Sequence, residues 1–169
     1  DTASRSQSRL EQVVEAGLLL TSELSLEGVL QQVADLAREL LSARYSAIGV
    51  LAEDGRTLSS FTTSGISPEA SQNIGALPEG RGVLGLVMRE ARPIRRKDIT
   101  QHPEAHGLPP NHPVMKTFLG VPIIGRRGIF GNLYVAERLS GTEFTAEDEH
   151  IANMLAAQTA AAVENARLH

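Results

Sequence analysis

Imidazole and phenol are the groups of this 169-residue chain best suited to engage a ligand, and one of each stands in a telling setting. In "NHPVMKTFLGVPIIG", residues 111 to 125, His112 and Pro113 stand just ahead of Val114-Met115 and a strand-like apolar run. Proline biases the residue before it toward extended backbone, so the histidine is held stiffly where the chain enters that strand. An imidazole so placed can present one nitrogen to a metal or to a flat apolar cofactor. In "FGNLYVAE", strand alternation puts Asn132, Tyr134 and Ala136 on one face and Leu133 and Val135 on the other. A tyrosine among buried neighbours needs a partner for its hydroxyl. Composition and spacing alone favour the plainer reading, in which Tyr134 bonds a backbone carbonyl and His112 a neighbouring loop group.

Other chemistries are weakly supported. His102, His106 and His112 invite a zinc reading, but the prolines among them break any helix, and no carboxylate or thiolate stands at ligand spacing. "LPEGRGVLG" has the glycines of a phosphate loop without the Gly-Lys-Ser/Thr ending or a βαβ setting, and no G-x-S-x-G elbow occurs. The chain lacks cysteine, which excludes disulfides, thiol catalysis and a thioether-linked cofactor. With 16 basic and 20 acidic residues and no long basic run, it lacks the footprint of a nucleic-acid binder. Its apolar runs fall far short of the roughly 20 residues that span a bilayer. The sequence shows no enzyme.

The elements that must position these groups are legible in outline. Leu10, Val13, Val14, Gly17, Leu18 and Thr21 mark a helix over 8–22, and Ser25 caps a second reaching about Leu41. Tyr45 to Ala52 reads as a strand turning at Asp54-Gly55 into another from Thr57 to Thr63. A short helix is expected over 68–73, a helical stripe through Val83, Leu84, Val87 and Met88, and a long proline-punctuated loop from Asp98 to Pro113. Phe118–Gly125 and Ile129–Glu137 form a second hairpin, and Thr145 with Asp148 opens a C-terminal helix over 145–168. This order predicts an α+β domain with a mainly antiparallel sheet, terminal helices on one face and the loop region over the other. One domain, 23–169, preceded by a helix in 1–22, is expected to belong to a longer protein. Ala152, Ala156, Ala160 and Ala161 predict a helix face open to close dimer contact.

The stretches "ARYSAIGV", "LPEGRGVLGLVMREARPIRRKDITQHPEAHGLPPNHPVMKTFLGVPI", "FGNLYVAE" and "ENARLH" closely resemble the haem-binding first GAF domain of the mycobacterial dormancy sensor histidine kinases, the DevS and DosT type. The likeness runs from about Leu10 onward, and its most specific part is the block HP-x-M-(K/R)-TFLGVP. The resemblance implies a GAF fold holding haem b, with His112 as the axial ligand of the iron. It implies that Tyr134 donates a hydrogen bond, directly or through water, to bound O2, NO or CO. It also implies that Gly49 stands where related proteins carry either a carboxylate or glycine, and that Phe61 and Ile48 wall the pocket. Glycine there implies direct oxygen binding rather than redox sensing. A cytoplasmic, homodimeric sensor histidine kinase of a two-component system answering hypoxia through a response regulator follows from the same likeness. The sequence departs from that group in "AEDGRT" and in "EAHGLPPN", which makes His106 a rival ligand. The alternatives are a GAF domain for another small molecule, such as a cyclic nucleotide, or a ligand-free dimerisation module.

Overall fold

A computed structural model describes residues 25–55, 58–66, 91–97 and 116–168. The expected helices over 8–22 and 68–73, the stripe at 83–88, the loop 98–113 with His102, His106 and His112, and His169 lie outside these residues.

Helix α1, Leu26–Leu40, begins where the Ser25 hydroxyl accepts the Gly28 N–H at 3.0 Å, a cap that contributes about 1 kcal/mol. Val29, Leu30, Val33, Ala34, Ala37 and Leu40 recur at helical spacing and are buried. Strands β1 (Ala43–Leu51), β2 (Leu58–Ser64), β3 (Ile94–Arg96), β4 (Phe118–Gly125) and β5 (Gly128–Arg138) form one sheet of order β2-β1-β5-β4-β3, antiparallel at every pairing. Helix α2, Ala146–Leu168, closes the described chain. Its first turn is a reciprocal box: Asp148 N–H donates to Thr145 Oγ1 at 3.1 Å, and Thr145 N–H to Asp148 Oδ2 at 2.8 Å.

The central strands β1, β4 and β5 are buried on both faces over most of their length, so their sequences are largely apolar, with Ser46 and Asn132 as buried polar exceptions. Both helices lie on one face. There Leu30, Val33, Ile48, Val121, Ile123, Leu133, Val135, Phe144, Ile151, Leu155 and Val163 join in one mainly aliphatic core. The opposite face carries a smaller cluster of Ala47, Ile66, Ile94, Phe118, Tyr134 and Ala136, with Tyr45 and Phe61 packed against it.

Two differences from the sequence reading have physical causes. Strand β3 was not expected, because three residues behind Pro93 are too short to display alternation; it pairs with β4 as the sheet edge, where a leading proline is tolerated. The alanine face of α2 is not open. Ala152, Ala156 and Ala160 are 2–3 % exposed within the helix-side core, and of the four only Ala161 is exposed. Small side chains on that stripe bring α2 close to its own domain.

Candidate functional site

Three rows of residues cross the face of the sheet away from the helices. In the first, Thr63, Ala47, Tyr134, Gly120 and Ile94 stand opposite one another on β2, β1, β5, β4 and β3. The second runs Phe61, Gly49, Asn132, Pro122, and the third Tyr45, Ala136, Phe118, Arg96. Tyr134 therefore sits between two of the smallest side chains, Ala47 and Gly120. Its ring stacks on Phe118 at 5.6 Å between centroids and 26°, and meets Phe61 at 6.5 Å and 34°.

Tyr134 is 1 % exposed. Burial raises the phenol well above the ordinary tyrosine range, because the phenolate would lose its hydration. The side chain is thus a neutral hydroxyl through the physiological range, able to donate a hydrogen bond. Asn132, 2 % exposed, adds a buried amide one position along the same face. Between Asn132 and Phe61 in the second row stands Gly49, itself buried, which adds no side chain to this face. Aromatic rings, a neutral donor and a glycine on one face are the kinds of group that suit a flat, largely apolar ligand with one polar end.

Of the residues singled out from sequence, Tyr134, Gly49 and Phe61 share this face. Ile48 does not. It pairs with Leu133 and packs in the helix-side core, because neighbours on a strand point to opposite faces and Gly49 already faces the site. His112 and its rival His106 lie outside the described residues. Phe118 was missed as a neighbour of Tyr134: its place follows from the pairing of Phe118 with Ala136, a register that one strand's pattern does not reveal. Among the described residues no three His, Asp or Glu side chains gather as a metal-holding group, and no helix is long and apolar enough to cross a membrane.

An antiparallel sheet of this order, helices on one face and a ligand-type surface on the other, is the architecture of a small sensory domain. The sequence matches the GAF domain family over residues 23–164, and the chain belongs to that family. GAF domains are sensory domains of signal transduction. Solved structures agree on the fold. The GAF domain from a phosphoenolpyruvate-protein phosphotransferase of Coxiella burnetii is 25 % identical, with a TM-score of 0.81 over 99 % of this chain and 98 % of that one. The GAF domain from the Acinetobacter phosphoenolpyruvate-protein phosphotransferase is 22 % identical, with a TM-score of 0.80 over 95 % of each chain. The GAF domain of a putative sensor histidine kinase from Pseudomonas syringae pv. tomato is 22 % identical, with a TM-score of 0.65 over 99 % and 95 %.

Proposed function

We propose that this GAF domain is a haem-based gas sensor for O2, NO and CO within a cytoplasmic, homodimeric two-component sensor histidine kinase that signals to a response regulator. The observation that carries the reading is the buried, uncharged Tyr134 near the side-chain-free Gly49 on the sheet face opposite the two described helices. These residues fit haem b: a protonated phenol is a suitable donor to a diatomic ligand, Phe61 and Phe118 offer apolar contact to a macrocycle, and glycine leaves its edge clear. His112, in the sequence block that resembles the haem-binding group, would supply the imidazole that holds the iron. Haem, when bound, would supply an iron that binds diatomic gases reversibly. The residues of the chain do the rest. Tyr134 donates to the gas, Phe61 and Phe118 exclude water, and Gly49 keeps ligand access open, which favours direct oxygen binding over redox sensing.

The test is the ultraviolet–visible spectrum of the protein purified with haem supplied, beside His112→Ala and His106→Ala. The expected result is a Soret band in the parent and in His106→Ala that is lost in His112→Ala. A colourless parent transfers the reading to a GAF domain for another small molecule, such as a cyclic nucleotide, or to a ligand-free dimerisation module. A band retained in His112→Ala overturns the ligand assignment.

A further inference from the structure

Beyond Tyr134, strand β5 ends in an unusual junction. Glu137 adopts left-handed backbone, φ 59°, a conformation that costs a residue with a side chain of this kind roughly 1–2 kcal/mol. Neighbours hold it there. Glu137 N–H donates to the Thr117 carbonyl at 2.9 Å, and Arg138 N–H to Thr117 Oγ1 at 2.8 Å. The Glu137 carboxylate accepts the backbone N–H of Lys116. One residue further, the Arg138 guanidinium turns to the start of α2. It donates to the Glu143 carbonyl at 2.7 Å and to Thr142 Oγ1 at 3.1 Å, and pairs with Asp148 at 3.6 Å. Asp148, 1 % exposed, is also the capping carboxylate of α2.

We infer that the Glu137-Arg138 dipeptide is a conformational coupler, joining the segment that leads into β4 at Lys116–Thr117 to the first turn of α2. The two residues divide the task. Glu137 grips the chain before β4, Arg138 grips the helix cap, and the left-handed turn between them lets consecutive side chains reach these separate targets. Because the turn is held by Thr117 and not by its own preference, a shift of Lys116–Thr117 releases it, and Arg138 moves with it. Arg95 of β3 supports the same helix start, donating to the Phe144 carbonyl at 3.1 Å and approaching Glu149 at 3.8 Å. The inference does not depend on which ligand the domain binds.

Proximity alone does not establish coupling, so the test reads one end while the other is altered. Amide hydrogen exchange is followed by NMR in the parent, Glu137→Gln and Arg138→Lys. In Glu137→Gln the Lys116 amide is expected to exchange roughly tenfold faster, and the Asp148 and Glu149 amides at least about threefold faster, although neither touches Glu137. In Arg138→Lys the Lys116 amide is expected to speed up in turn. Faster exchange at Lys116 with Asp148 and Glu149 unchanged overturns the coupling, as does an unchanged Lys116. An equal rise at Leu155 and Val163 in mid-helix marks loss of global stability and also overturns it. Should Glu137→Gln fail to fold, Arg138→Lys decides alone: an unaltered Lys116 amide overturns the inference.

Discussion

The two faces of the sheet are built on different terms. The helix face is large and mainly aliphatic, with Leu133, Val135, Leu155 and Val163 each at most 1 % exposed. The other face is smaller and aromatic, and it places a phenol, an amide and a glycine side by side. Burial is equally deep at Leu133 and Tyr134, adjacent residues on one strand, yet one is chosen for volume and the other for a polar tip. One face holds the domain together. The other keeps groups that a close-packed core would replace with apolar ones at little cost to stability.

The contrast is broken most severely on the helix face. Leu155→Ala is expected to remove about 2–5 kcal/mol, read as a lowered urea midpoint with an unchanged slope, since a fully buried leucine leaves a cavity between α2 and the sheet. A loss below about 1 kcal/mol would mean that this face is not the stabilising one. Gly131→Ala tests the boundary between the faces. Beside it, the β4–β5 register shifts between Ile123 and Ile124, which turns Phe130 into the helix-side core. A Cβ on Gly131 would run into the Gly49 carbonyl of the neighbouring strand. Separating β1 and β5 there is expected to cost about 1–3 kcal/mol and to disturb the site at Gly49. A thermal midpoint equal to the parent's would refute that close approach.

Tyr134→Phe should change stability least, by about 1 kcal/mol or less at neutral pH, because it removes one hydroxyl and keeps the ring stack. Its sharper signature is alkaline. Burial raises the folded phenol's pKa, so its contribution is whole below the unfolded value and is lost as pH climbs above about 10, where the unfolded chain alone ionises. The urea midpoint of Tyr134→Phe should therefore fall less between pH 9 and pH 11 than that of the parent. Equal falls would show that the phenol ionises as readily folded as unfolded.

Much of this was legible in the residues because alternation and helical spacing leave strong marks. Tyr134 and Asn132 on one face, Leu133 on the other, both hairpins, and the caps at Ser25 and Thr145 all stand as the sequence suggested. What escaped was whatever depends on two strands at once. Phe118 meets Tyr134 only through the β4–β5 register, and β3 exists only because β4 offers it an edge. Ile48 was misassigned for the opposite reason: it was placed with Gly49, whereas adjacent strand residues cannot serve one face. The alanines of α2 show a further limit, since small residues suit close packing whether the neighbour is the same domain or another copy.

The far end of α2 is fastened as well. Arg167 reaches the Leu51 carbonyl at 2.5 Å and lies 5.3 Å over the Phe130 ring, while Glu164 accepts the Arg126 N–H at 2.6 Å. A 23-residue helix is about 35 Å long. Held near Arg167 as at a fulcrum, it behaves as a beam: a 1 Å displacement at Ala146 tilts its axis by only about 2°. Such a beam converts motion at the end gripped by Arg138 into a small change of heading, with almost no travel at the pivot.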